Sequence, residues 1–142
     1  MPTLYIVRGL PGSGKSTLGY ALCGGNSFQA DDWFEFKADN EGKTYSEVFD
    51  PKELPKAHEL CQERVENAMR ESAIDGFGDV AVCNTFSQQW EAQPYVDLAN
   101  RYGFRVCVIE CQNKFENTHN VPDEAIERMS LRWENIRNES CD

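Results

Sequence analysis

The sequence predicts an α/β fold in which a short parallel sheet carries helices on both faces. Three observations predict it. Short apolar runs bounded by turn residues alternate with longer stretches whose apolar residues recur at spacings of three and four. The first run enters a glycine-rich turn that opens a helix. Helices of this length between strands serve as the crossovers that a parallel sheet requires.

The elements follow in order. Leu4–Val7 (LYIV) is the first strand, and the helix after the turn carries Leu18, Ala21 and Leu22 before Gly24-Gly25 ends it. A weak strand near Phe28–Ala30 leads to DDWFEF and then to the polar, turn-rich KADNEGKTYSEVFDP. From Leu54 to Ala73 a helix is expected, with Leu54, Cys61, Val65, Ala68 and Met69 on one face. DVAVC, Asp79 to Cys83, reads as a buried strand. The next helix buries Leu98, Ala99 and Tyr102 and ends before Gly103; Pro94, with no amide hydrogen, belongs in its first turn or in a break before it. FRVCVIE, Phe104 to Glu110, is the last strand, and Pro122 opens a final helix with Ile126, Met129, Trp133 and Ile136 inward. No repeat or linker interrupts this order, so residues 1–142 are expected to form one domain.

Bulk properties narrow the function classes. The net charge of −10 argues against a non-specific nucleic-acid coat, though not against a strand end or nucleotide entering a locally basic cleft. No apolar stretch approaches the ~20 residues of a membrane span, and MPTLYIVRG runs directly into a strand with no signal peptide before it. Six cysteines without C-x-x-C spacing disfavour a zinc or redox site and fit a reducing cytoplasm.

The chemistry begins at RGLPGSGKST, which fits G-x-x-x-x-G-K-[ST] from Gly9 to Ser16. Gly12 and Gly14 free the backbone so that successive amides can face phosphate oxygens, and the helix starting near Lys15 aims its positive end at the same place. Gly9, Pro11, Gly12, Ser13, Gly14, Lys15, Ser16 and Thr17 therefore form the expected nucleotide site. In it Lys15 reaches the β- and γ-phosphates, the Ser16 hydroxyl holds Mg²⁺, and Thr17 assists at the α-phosphate. A chance match in a glycine-rich turn would lack the strand before and the amphipathic helix after.

Two acids, Asp31 and Asp32, follow the second strand, where the strand ends of an open parallel sheet converge on one crevice. There Asp31 can accept a proton from an attacking hydroxyl or order water on Mg²⁺; the competing reading is a helix N-cap. Neighbouring acids can divide these roles, with Asp31 toward the site and Asp32 capping.

These residues carry a family resemblance. LYIVRGLPGSGKST, the DDW at Asp31–Trp33, VCNTF at Val82–Phe86 and the VP at Val121–Pro122 resemble the bacteriophage polynucleotide 5′-kinase domain. The chain is similar, closer still, to the small AAA-type P-loop kinase modules of phages, bacteria and animals. That likeness extends to FDP…L…AH at Phe49–His58, NTF…WE…PY at Asn84–Tyr95 and N-x-H-x-VP at Asn117–Pro122. The resemblance implies a three-layer P-loop NTPase/kinase fold with a lid at about 111–121, and transfer of the ATP γ-phosphate to a hydroxyl. Polynucleotide 5′-hydroxyls and hydroxymethylated pyrimidines in DNA are the acceptors known among such relatives. Carried over residue by residue, Lys15 and Ser16 take the phosphate and metal roles and Asp31 matches the general base. Asn84 and Thr85 stand where the phage kinase has DT, and Phe34 stands where it has an arginine for a substrate phosphate. The segment KFENTHNVP, Lys114 to Pro122, lacks the lid arginine.

A cation near the transferred phosphoryl group is nonetheless expected. Arg128 and Arg132, four apart on the last helix, are the candidates, against a surface ion pair of Arg128 with Glu124. Lys114 and His119 lie in the lid. His58 is either a core histidine in register with Leu54, Cys61 and Val65 or a substrate contact, and Trp33, Phe34 and Phe86 either stack on a base or pack the core. The substrate-facing set is thus Asp32, Trp33, His58, Asn84 and Thr85. ATP and Mg²⁺ are the expected cofactors and a nucleic acid or nucleotide the expected acceptor; the alternative is a module that binds or hydrolyses ATP without transfer. No guanine-reading or switch sequence of a GTPase is present.

Overall fold

The computed structural model describes residues 1–75, 78–112 and 121–137. Four strands, β1 (Thr3–Gly9), β2 (Ser27–Phe28), β3 (Val80–Asn84) and β4 (Arg105–Cys111), form one sheet in the order β2-β3-β1-β4. Every pairing is parallel, with Leu4 beside Val80 and Val106, and Ser27 beside Ala81. Six helices connect or follow them: α1 (Lys15–Cys23), α2 (Asp32–Glu41), α3 (Tyr45–Val48), α4 (Leu54–Asp75), α5 (Gln89–Tyr102) and α6 (Asp123–Leu131).

Alternation along the strands builds the layers. Leu4 and Ile6 of β1 and Val80 and Val82 of β3 turn to one face, where they meet Cys61, Val65 and Met69 of α4 and Ala92, Tyr95, Val96 and Ala99 of α5. Val7, Ala81 and Cys83 turn to the other, against Leu18 and Cys23 of α1. The result is the predicted α/β architecture, a parallel sheet between helices. A satellite cluster of Ala30, Phe34, Ala38, Val48 and Ala57 joins α2 and α3 to the start of α4.

The strand order has a direct consequence for function. The chain steps from β1 out to β2, returns to β3 beside β1, and then crosses to β4 on the far side. The loops after β1 and β3 therefore leave neighbouring strand ends in opposite directions, opening the crevice where open α/β sheets bind ligands.

Several local expectations change. The apolar face of α1 is not Ala21 and Leu22, which are exposed; its buried position is Gly19, where a side chain would run into Cys83 Sγ of β3. β2 lies one register earlier and is only two residues long. The segment read as turn-rich holds the end of α2 and all of α3, whose first turn is closed by a reciprocal Thr44–Glu47 capping box. Pro94 sits well inside α5 rather than in its first turn. The hydrogen bond it forfeits is to the carbonyl of Trp90, a residue 71% exposed, so water can replace the missing donor. α6 ends at Leu131, leaving Trp133 and Ile136 beyond it; Ile136 still packs on the main core.

Candidate functional site

The loop after β1 is shaped by its glycines and by close approach. Gly12 and Gly14 have φ of 83° and 89°, the left-handed region that side chains resist. A Cβ on Gly9 would run into Ser13 Oγ and lie 2.9 Å from the Cys111 carbonyl at the end of β4. Gly9→Ala is therefore expected to destabilise the protein by about 1–3 kcal/mol through overpacking, read as a lower midpoint of thermal unfolding. A midpoint equal to that of the wild type would show that the loop can relax.

The loop presents amide donors and little that competes with a ligand. The Ser13 amide donates to Leu10 O at 3.1 Å, and the first bond of α1 runs from the Leu18 amide to Gly14 O, also 3.1 Å. The amides of Lys15, Ser16 and Thr17 therefore head the helix without intrahelical acceptors. No acidic side chain stands in this first turn and no side chain caps it. Ser13 Oγ is buried with no hydrogen-bond partner among the described residues. A concave ring of donors with an orphaned hydroxyl suits a polyphosphate, whose oxygens accept from all of them. Ser16 and Thr17 are exposed in the first turn of α1, and Pro11 is half-buried.

Lys15 donates to Leu10 O at 3.1 Å, resting on the loop's own carbonyl. Burial lowers its pKa, and the negative charge of Asp31 opposes that shift. Asp31 occupies the cap position of α2, yet its side chain caps nothing. Its Oδ1 instead accepts a hydrogen bond from the Tyr45 hydroxyl at 2.6 Å. Asp32 turns another way. It accepts from Arg64 at 2.8 Å and from the Gln29 amide at 3.3 Å, and the Arg64 guanidinium lies 4.7 Å from the centre of the Phe28 ring.

Asn84 at the end of β3 accepts from the Ala30 amide at 2.8 Å and reaches Cys61 Sγ at 3.9 Å, so it anchors the backbone immediately before Asp31. The Thr85 carbonyl accepts from the Gly9 amide at 3.4 Å, tying the loop after β3 to the phosphate loop. His58 lies off the apolar stripe expected for it. Ala57, Cys61 and Val65 form that stripe, while His58 is exposed. Desolvation by the neighbouring protein lowers its pKa, and the charges of Glu91 and Asp31 oppose that shift. Phe34 and Phe86 are buried, which makes them core residues rather than stacking surfaces. Trp33 packs at the edge of the satellite cluster and donates to Glu53 at 3.2 Å.

Of the two arginines on the C-terminal side, Arg132 donates through Nε to Ser87 Oγ at 3.1 Å, on the loop after β3. Arg128 is exposed on α6, and its expected pairing with Glu124 does not form among the described residues. Lys114, His119 and most of the lid lie outside the described residues.

Sequence reasoning missed Arg8. It is 2% exposed, donates to the Phe86 carbonyl at 3.1 and 2.6 Å, pairs with Glu110 at 3.4 Å, and lies 4.1 Å from the centre of the Trp133 ring. Burial lowers its pKa while Glu110, Glu91 and Glu134 raise it. Phe86 has φ of 49°, an uncommon backbone state for an aromatic residue, and the arginine holds its carbonyl there. One signal was available: Arg8 continues the Leu4, Ile6 alternation and so points into the same layer as the core. Beside it, Leu10, Cys111, Gln112, Ser130 and Trp133 border a cavity of about 290 Å³ adjoining the phosphate loop.

A family profile described as an AAA domain matches residues 4–120. The chain belongs to this P-loop, kinase-like family. The match ends before α6, so Arg128 and Arg132 stand outside the part the family shares. The human protein NEDD4-binding protein 2 is 33% identical over 139 residues, 89% of this chain, and the chain spans 7% of that relative's length. Among solved structures, a candidate kinase from Chloroflexus aurantiacus superposes with a TM-score of 0.57 at 19% identity, covering 92% of this chain and 65% of that one. The AvrRxo1-ORF1:-ORF2 complex contains a chain with a TM-score of 0.56 at 18% identity, covering 78% of this chain and 37% of its own. At these identities the two structures establish the shared fold. Among the described residues, no helix is long and apolar enough to cross a membrane.

Proposed function

We propose that this chain is an ATP-dependent phosphotransferase that moves the γ-phosphoryl group to an alcohol on a nucleic acid or nucleotide. One observation carries the reading: the Asp31 carboxylate does not cap its own helix, is held by the Tyr45 hydroxyl at 2.6 Å, and its charge acts on Lys15 of the phosphate loop. A module that only held ATP would not need such a carboxylate beside the phosphate loop. Membership of a kinase-like family supports the same choice. The likeness of NTF and DDW to the phage polynucleotide kinase supports the acceptor class.

In this mechanism the loop from Gly9 to Thr17 cradles the triphosphate, and the cavity beside Leu10 and Trp133 has room for the base. Lys15 moves from the Leu10 carbonyl to the β- and γ-phosphates. Ser16 would hold Mg²⁺, an ion that accepts few protein ligands when phosphates and water supply the rest, and its charge would offset that of the phosphates. Asp31 accepts the proton of the acceptor hydroxyl as that oxygen bonds to the γ-phosphorus and the bond to the β–γ bridging oxygen breaks, releasing ADP. Asn84 and Thr85 hold the two loops that frame the crevice, while Asp32 and Trp33, engaged by Arg64 and Glu53, would support the acceptor side from behind and His58 would contact the acceptor. Arg132, held at Ser87, and Arg128 on α6 are the cations able to approach the phosphoryl group in place of a lid arginine. The cysteines, without paired spacing, support a cytoplasmic setting.

An acceptor screen tests the proposal. ATP labelled at the γ-phosphate is offered with DNA 5′-ends, RNA 5′-ends, hydroxymethylpyrimidine DNA and free nucleosides. Label on one of these acceptors is the expected result. Label released only as inorganic phosphate, or not at all, would replace the kinase with a hydrolase or a binding module.

A further inference from the structure

The aromatic group on α3 has no part in the mechanism above, yet it touches the proposed base. Tyr45 opens a helix of four residues held by the Thr44–Glu47 capping box. Its ring lies edge-on to Phe34 at 5.8 Å and stacks on Phe49 at 5.8 Å, and Phe34 and Phe49 meet at 4.9 Å. Three rings in mutual contact leave the tyrosine little rotational freedom, so its hydroxyl is delivered to one place, Asp31 Oδ1, at 2.6 Å. Such a short O–H···O bond belongs to the charge-assisted class.

We propose that Tyr45 is the positioning residue for Asp31: its phenol fixes the carboxylate toward the acceptor and favours its ionised form. The inference rests on the reading of Asp31 as general base. Burial and the carboxylate together push the Tyr45 hydroxyl far above its ordinary pKa, so it remains a donor throughout the working range. Other charges that act on this pair include Lys15 from α1, Glu35 from α2 and His58 from α4. Lys15 favours the ionised carboxylate as Tyr45 does, and a protonated His58 would do the same. Glu35 disfavours it. The Tyr45 contribution must therefore be separated by removing the hydroxyl alone.

Tyr45→Phe does so while keeping all three rings. A donor to the charged form lowers a carboxyl pKa, so its loss raises that pKa. Carbon-13 NMR of protein labelled at the aspartate carboxyls, titrated without nucleotide, reads this directly. The Asp31 midpoint is expected to rise by about one pH unit in Tyr45→Phe. Phe49→Leu, which loosens the stack but keeps the hydroxyl, is expected to shift it much less. In the transfer assay the acid limb of the rate profile should move upward by the same interval, with ATP affinity unchanged. An Asp31 midpoint equal in wild type and Tyr45→Phe overturns the proposal. A shifted midpoint in a protein that shows no transfer upholds the coupling and counts instead against Asp31 as base.

Discussion

Asp31→Asn is expected to lower phosphoryl transfer by about 10²- to 10⁴-fold, the range that a positioned general base contributes, while ATP affinity changes by no more than a few-fold. The amide keeps the size of the carboxylate and can still accept from the Tyr45 hydroxyl, so the fold around α2 should survive. What it loses is the capacity to take a proton. Because the Asp31 charge acts on Lys15, removing it leaves the ammonium freer to meet phosphate, and nucleotide affinity is expected to stay level or rise slightly. Turnover measured with the acceptor found in the screen, beside ATP affinity from calorimetry, separates the two effects. Normal turnover in the variant would eliminate Asp31 as the base, whatever its position.

Lys15→Ala should show the opposite division. The ammonium is the only side-chain cation that the phosphate loop itself carries, and it faces oxygens whose charge shifts as the γ-phosphoryl group departs. Removing one preorganised donor of this kind costs roughly 10²- to 10³-fold in rate, and here the ground-state triphosphate loses a partner as well, so affinity and rate should both fall. In the free protein Lys15 is half-buried against the Leu10 carbonyl with its pKa lowered by that burial. The alanine variant therefore gives up little stability: a partly desolvated charge leaves along with one hydrogen bond. Its unfolding midpoint is expected to stay near that of the wild type without nucleotide, and to respond much less to added ATP. If ATP stabilises the variant as fully as the wild type, the triphosphate does not bind where the loop indicates.

The comparison of these two positions shows what could be read in advance. The place of Lys15 was legible because it is local: spacing, two glycines at positive φ and the helix start lie within ten consecutive residues. Asp31 was legible as one of two acids, but the choice between base and cap depended on side-chain direction. Tertiary contact set those directions, with Tyr45 holding Asp31 and Arg64 holding Asp32. His58 was misplaced for a related reason. Apolar spacing admits two adjacent faces of α4, and the packing of α2 and α3 selected the face carrying Ala57. The end of α6 was overestimated because Trp133 and Ile136 keep a helical spacing. Their apolar contacts are made outside a helix, Trp133 beneath the Arg8 guanidinium and Ile136 on the core.

By itself the sequence determined the α/β class, the strand sequence, the phosphate loop and the short list of acids. Each of these is written in local periodicity or in a motif whose geometry needs only its own backbone. Tertiary structure alone decided which acid meets Tyr45 and which meets Arg64, that Arg8 is buried under the loop after β3, and that a tyrosine from a four-residue helix grips the proposed base. Those facts depend on residues far apart in the chain meeting at one strand edge, and the free energy that selects among them comes from packing, which no local pattern records.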